Sequence, residues 1–348
     1  MSNEAPVALN DNNRELREGF IHVASVKDRL SCLDHFRGYA FFTMLMVNYL
    51  GGYDTMPETF RHHGTGFSFA DHVAPLFLFA AGIGFRISFS RRKEGADLWK
   101  ARRSAVRRSI LLILLGIFIY SDIEFTRENF MTIVTCDMWD ALVDIGFAGL
   151  LTLPFIDRGI KTRLGMAVCY AVGYQCLYIF TGYSEWVMEN SIDGGPLGPL
   201  AWAFQMLIGT IVWDYINRPD KARFIAGMYL AGFAMFGAGQ LMNQYWLHSQ
   251  KGMTISYTVG STGVSMLVFL AFYLLNDVLR ITVPHMSVLG RNPLLLYAIH
   301  STIYSAVGYR LFPDDSPAYK GWIGFAVVYL ICYAIARFLD WRKWYLRL

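Results

Sequence analysis

Residues 70–90 read ADHVAPLFLFAAGIGFRISFS, and residues 91–108 continue RRKEGADLWKARRSAVRR. The first stretch supplies the about 20 mostly apolar residues that a helix needs to cross a bilayer. The second carries eight Lys and Arg residues. An apolar run that ends in such a basic run is a membrane helix leaving the lipid on its cytoplasmic side. The remainder of the chain agrees. Its 348 residues are 54% hydrophobic and only 17% charged, where soluble domains are roughly a quarter charged. This composition excludes a disordered chain and weighs against a soluble enzyme. A mean hydropathy of +0.33 fits several spans diluted by their loops. The formal net charge of +4 is too small to mark a nucleic-acid-binding protein.

Ten segments have the length and apolarity of spans: 34–52, 70–90, 107–122, 138–157, 163–182, 199–217, 222–246, 257–279, 291–311 and 321–340. With a cytoplasmic N-terminus, 25 Lys and Arg residues fall in inner segments and five in outer loops (Arg61, Arg127, Lys251, Arg310 and Lys320), with Arg86 near the inner end of a span. That asymmetry is the positive-inside pattern. The expected fold class is therefore all-α: a polytopic membrane protein of about ten transmembrane helices with both termini cytoplasmic. Residues 1–30 read as a polar cytoplasmic tail without a signal peptide. Residues 31–348 read as one transmembrane domain. Gly82-Ile83-Gly84 lies inside a span and signals close helix packing. The five cysteines form no C-x-x-C pair and are odd in number, so neither a zinc cluster nor a disulfide framework is expected.

Polar residues within or beside spans are costly and mark cavities. Asp34, His35 and Arg37 open the first span, and Asn48 lies roughly 16 Å further along it. The next loop holds Arg61, His62 and His63, and Asp71 and His72 begin the second span. Asn48, His62, His63 and Asp71 thus converge on one short hairpin at one membrane depth. Plainer readings exist for each: a solvated turn for 61–66, a helix-dipole partner for Asp71, an amphipathic helix start for Asp140 and Asp144, and a satisfied interior histidine for His300. At the inner face, Gly290-Arg291-Asn292-Pro293 reads as a helix start, with Asn292 as N-cap and Pro293 at the first helical position. A helix N-terminus beside Arg291 suits an anion, and the basic run 91–108 lies on the same side. A phosphate-bearing cytoplasmic cosubstrate fits there. His300 lies about 12 Å deeper.

These residues also carry a resemblance. Leu33-Asp34-His35-Phe36-Arg37-Gly38 resembles the LDxFRG opening of the heparan-α-glucosaminide N-acetyltransferase family. Met46-Val47-Asn48-Tyr49 resembles its xVNY segment. Ala70 to Phe79 resembles ADLVFPxFLF, and Gly290 through His300 resembles GxNxLxxYxxxH. Order and rough spacing agree from residue 31 to about 345. The resemblance implies a helical membrane acyltransferase that moves acetyl from cytoplasmic acetyl-CoA to a sugar amine across the membrane. It also implies a catalytic histidine in the loop before the ADLVFP-like helix, with the VNY asparagine nearby. Where the family often reads HAxWNG, this chain reads His62-His63-Gly64-Thr65-Gly66, shorter and without Trp or Asn. Either His62 or His63 fits that role.

The expected catalytic group is His62, His63, Asn48 and Asp71, with Asp71 setting the tautomer of the active ring. The expected acetyl-CoA group is Asp34, Arg37, Arg291, Asn292 and His300, with Asp34 holding Arg37 as an i,i+3 partner. Histidine suits removal of the acceptor's proton near neutral pH, or it accepts the acetyl group first. Asn48 orients the ring or stabilises the thioester oxyanion. Expected partners are acetyl-CoA, an extracytoplasmic sugar acceptor, membrane lipid and at most a second copy of the chain. No metal or nucleic acid is expected. A transporter or exporter of a sugar or acylated product is the competing reading, because ten spans with midplane polar groups suit it as well.

Overall fold

The computed structural model describes residues 30–95, 97–120, 132–308 and 311–346. The polar tail before residue 30 and the basic residues Arg127, Arg310 and Arg347 lie outside them. Among the described residues, twelve helices of eight or more residues follow one another: α1 (Ser31–Leu50), α2 (Val73–Gly95), α3 (Leu98–Tyr120), α4 (Ala141–Thr152), α5 (Ile160–Phe180), α6 (Tyr183–Asn190), α7 (Gly198–Ile216), α8 (Lys221–Met242), α9 (Ile255–Tyr273), α10 (Pro284–Arg291), α11 (Pro293–Ile303) and α12 (Ala318–Trp341). Each apolar segment of the sequence contains one of these helices, in whole or in part, and no strand occurs among the described residues.

Five helical stretches are long and apolar enough to cross a membrane: Ala70–Gly95, Gly195–Ile216, Lys221–Met242, Ile255–Val278 and Ala318–Trp341. The pair α5 and α6, bent by 93°, makes a sixth if it is one span. Helix α1 and three further segments do not meet this test. Helices α4 and α11 are short, and the first three turns of α3 hold Lys100, Arg102, Arg103, Arg107 and Arg108. Among the described residues, five or six helical stretches thus have the length and apolarity of a crossing, where the sequence suggests about ten.

Connections gather alternately at two ends. At one end Asp54 N donates to Asp314 O (3.0 Å), Ser249 Oγ to Gly64 O (2.6 Å) and Gln250 Nε2 to Asp193 Oδ1 (2.7 Å). At the other, Lys93 pairs with Asp157 (2.8 Å), Arg86 Nη1 donates to Ile156 O (2.6 Å) and Asn292 Nδ2 to Trp344 O (3.0 Å).

The helices meet through small residues, as membrane helices do without a hydrophobic drive toward one another. A Cβ at Gly82 would run into the Met206 backbone of α7, and one at Gly209 into the Phe79 carbonyl of α2. Gly239 of α8 and Gly260 of α9 make a similar approach. Helix α7 lies buried at the centre, whereas α8 leaves Tyr229, Leu230, Phe233 and Leu241 exposed, an apolar surface suited to lipid. Near the basic end, Arg86 of α2 and Arg163 of α5 both grip Asp214 of α7. Burying Arg163 is tolerated because Thr210 and the Arg158 carbonyl satisfy its other donors.

Candidate functional site

The connection between α1 and α2 folds back over the helix ends and closes with a short turn, Ala70–His72, that leads into α2. Asp71 is wholly buried there. A buried carboxylate needs donors, and Ser68 provides two: its N–H and Oγ–H both reach Asp71 Oδ2 at 2.9 Å. The other oxygen, Oδ1, accepts from His62 Nδ1 at 3.0 Å. Tyr257 of α9 fixes the turn from below by donating to the Asp71 carbonyl (2.7 Å).

This geometry decides a tautomer. A carboxylate oxygen can only accept, so the proton sits on His62 Nδ1 and Nε2 keeps its lone pair. The ring is half exposed, toward a cavity of about 570 Å³. His63 is held differently, its Nε2–H donating to the Glu58 carbonyl (3.1 Å). The two adjacent histidines are therefore not equivalent, and His62 is the one oriented by a buried acid. Burial opposes charging of the His62 ring. The Asp71 hydrogen bond and charge, aided by Asp193 and Gln250, outweigh it and raise the ring above its ordinary value.

The same cavity is lined by Asn48, His62, His63, Asp140, Asp193 and His300, with Gln250, Lys251 and Tyr297. Three of the four residues expected to act chemically thus face one space, and Asp71 stands directly behind His62. His300 joins them. Eight residues of chain carry it away from Asn292 and into this cavity instead of the arginine-lined one. Its Nδ1–H donates to the Tyr297 carbonyl, leaving Nε2 as an acceptor.

A second cavity of about 310 Å³ opens from the basic end. Four helices give it one arginine each: Arg37 from α1, Arg92 from α2, Arg108 from α3 and Arg291 from α10. The Arg37 guanidinium lies across Gly84, where any Cβ would collide with it. Arg291 Nη1 is bonded to both oxygens of Asp340 (2.9 and 2.8 Å), a fixed cation at the cavity wall. Asn292 occupies the N-cap position of α11, but its side chain does not cap it. Its Nδ2 donates to Trp344 O and its Oδ1 accepts from Leu346 N, tying the C-terminal segment to the helix start. Asp34 is buried in the first turn of α1, where its charge adds to that of Asp340 on Arg291. Neither Asp34 nor Asn292 lines the cavity.

The two cavities share a wall of Phe77, Ala141 and Tyr297. Tyr297 is pinned in it, its hydroxyl donating to Asp140 Oδ1 at 2.8 Å. Asp193 and Gln250 belong to the site and escape the sequence reading. Burial and the nearby Asp140 push the Asp193 carboxyl up to about 6, against the lowering effect of its Gln250 bond. One signal for Asp193 existed. It opens the turn Asp193-Gly194-Gly195 at φ 52°, a left-handed conformation that Asp tolerates better than most residues.

Comparison with known proteins identifies a family. A family model described as heparan-alpha-glucosaminide N-acetyltransferase, catalytic, matches residues 29–249. A mouse protein (Mus musculus) named heparan-alpha-glucosaminide N-acetyltransferase is 38% identical over 97 residues, covering 27% of this chain. The matched stretch spans only 14% of that relative's length. The matched region contains Asn48, His62, Asp71 and Asp193, whereas Arg291 through His300 lie beyond it.

Proposed function

The chain belongs to the heparan-alpha-glucosaminide N-acetyltransferase family, and from that premise we propose that it moves acetyl from cytoplasmic acetyl-CoA to the amine or hydroxyl of a sugar on the opposite side of the membrane. The pair of abutting cavities carries the proposal. One opens from the basic end and holds four arginines, and the other opens from the far end and holds His62. Arginine is the side chain best matched to phosphate oxygens, so the coenzyme's phosphates occupy the first cavity. Its extended pantetheine arm then brings the thioester past Tyr297. On this reading residues 31–348 act as one domain, about ten helices cross the bilayer, and the arginine end and both termini are cytoplasmic.

The chemistry follows from the His62 tautomer. The acceptor nitrogen attacks the thioester carbonyl while His62 Nε2 removes its proton. The C–N bond forms, the C–S bond breaks, and the coenzyme thiolate leaves to collect that proton. Asp71 stabilises the imidazolium formed in between. Asn48 faces the same cavity and donates to the oxyanion. If the imidazole accepts the acetyl group first, the same Nε2 is the nucleophile.

The experiment is sided. Inverted vesicles containing the protein receive labelled acetyl-CoA outside and an amino sugar within. Mass spectrometry should find the acetylated sugar in the lumen. A transporter would instead accumulate its solute without acetylation and would show no thermal stabilisation by acetyl-CoA.

A further inference from the structure

Helix α3 has two sides with different neighbours. Ala101, Ala105, Arg108 and Leu112 face inward, the last two into the arginine cavity. Lys100, Arg103, Arg107, Ile110, Leu114 and Phe118 are exposed on the opposite side. At about 100° per residue these six fall within a stripe roughly 80° wide. The part nearest the basic end, roughly 10 Å long, holds the three cations. The next part, about 12 Å long, holds the three apolar side chains, of which Phe118 is 68% exposed.

The cations of this stripe differ from those already matched at the basic end. Arg86 and Arg163 pair with Asp214, Lys93 with Asp157, Arg223 with Asp220 and Arg291 with Asp340. Lys100, Arg103 and Arg107 make no ion pair or side-chain hydrogen bond with a described residue. Arg103 and Arg107 stand one turn apart, so both guanidinium groups reach a single phosphate. A water-facing helix would not continue such a stripe with Ile110, Leu114 and Phe118, which are stabilised by an apolar neighbour. Trp99, 73% exposed beside Lys100, is a residue type that settles at the headgroup layer. Phosphate-binding cations followed directly by an open apolar track match a molecule that carries its charge and its chains in that order.

We infer that α3 seats one anionic glycerophospholipid of the leaflet at the basic end, its phosphate between Arg103 and Arg107 with Lys100 alongside, and an acyl chain along Ile110, Leu114 and Phe118. A basic residue near the membrane surface contributes about a fivefold preference for anionic lipid, so three on one stripe contribute on the order of a hundredfold. A diffuse headgroup atmosphere depends on net charge alone, whereas this seat depends on these positions. The lipid also has a place in the fold: it neutralises the outer cations of the helix whose inner Arg108 lines the arginine cavity.

The test uses the full-length protein in phosphatidylcholine nanodiscs that carry a minor share of phosphatidylglycerol with a photoactivatable acyl chain. After irradiation, peptide mapping should find the label on residues 110–118, and native mass spectrometry should find one phosphatidylglycerol retained. The combined variant Lys100→Gln, Arg103→Gln and Arg107→Gln should lower that labelling about tenfold or more and lose the retained lipid. The control Arg158→Gln, Lys161→Gln and Arg218→Gln removes the same charge from the same end and should label as the wild type does. All six positions are exposed, so both variants should melt with the wild type in phosphatidylcholine alone. Labelling of 110–118 that is unchanged in the stripe variant, lowered equally in the control, or no stronger than with a phosphatidylcholine probe would overturn the inference. Neither readout uses acetyl transfer, so its failure leaves the acetyltransferase reading intact.

Discussion

His62 and Asp71 share one hydrogen bond, Nδ1–H to Oδ1 at 3.0 Å, with the carboxylate wholly buried and the ring open to the larger cavity. A base needs a free lone pair, and this bond leaves it on Nε2. It also sets the pH dependence. His62 is raised above its ordinary value by Asp71 against the opposing effect of burial, so the basic form grows in above about pH 6.5. Transfer should therefore rise with pH through an inflection above that point. In Asp71→Asn the opposing burial effect remains and the raising effect is lost. Its inflection should move to lower pH, while kcat falls about a hundredfold because the tautomer is no longer held. The linkage runs the other way for stability. The folded state binds this proton more tightly than the unfolded chain, so the pair's contribution is full below about pH 6.5 and is lost as pH rises through the folded value. A kcat–pH profile and a melting series on both proteins check the two signs together.

Tyr297 lines both cavities, its hydroxyl fixed by Asp140, at the passage the thioester must take. Tyr297→Ala should widen the passage between the two spaces and admit water to the thioester. The measurable result is faster acetyl-CoA hydrolysis without acceptor and slower transfer with it. Tyr297→Phe keeps the wall and loses only the Asp140 bond, so hydrolysis should stay near the wild-type rate.

The arginine cavity should respond to charge removal in binding alone. A hydrogen bond to a charged group contributes about 1.5–3 kcal/mol, so Arg37→Ala and Arg108→Ala should each weaken acetyl-CoA binding about tenfold or more by calorimetry. Arg291→Ala should weaken binding and also lower the melting temperature, because Asp340 loses its closest basic partner.

The fold rests on close helix approach at glycine. Gly82→Ala puts a methyl against the Met206 backbone, which cannot move as a side chain can. Overpacking of this kind costs about 1–3 kcal/mol. Gly227→Ala on α8 meets open space and should be neutral or mildly stabilising. Apparent melting temperatures in detergent should drop for the first variant alone.

What the sequence makes legible and what it hides have physical reasons. Apolar runs of span length announce themselves, and each of the ten segments contains a helix among its described residues. His62, His63 and Asp71 fall within one loop, so their meeting is a short-range event visible as spacing. Asp193 and Gln250 come from distant connections, and only the packing of α7 and α9 against the other helices delivers them to His62. Asn292 reads correctly as a helix boundary, yet its side chain binds Trp344 and Leu346, a return of the chain end that no local pattern signals. His300 reads as a donor-site residue because it shares a segment with Arg291. The helix between them carries it to the other cavity. The inequality of His62 and His63 is invisible until the Glu58 carbonyl and the Asp71 carboxylate are each seen to claim one of them.

The central claim is that His62, oriented by Asp71, performs the transfer. Acetyl transfer and acetyl-CoA affinity should be measured side by side for His62→Ala, His63→Ala and the double variant. Loss of a positioned acid–base group typically lowers the rate by ~10²–10⁴. His62→Ala should therefore abolish detectable turnover with acetyl-CoA affinity preserved, and His63→Ala should stay within a fewfold of wild type, roughly what loss of an exposed hydrogen bond costs. Near-normal transfer by the double variant would contradict the account and leave His300, across the same cavity, as the remaining base.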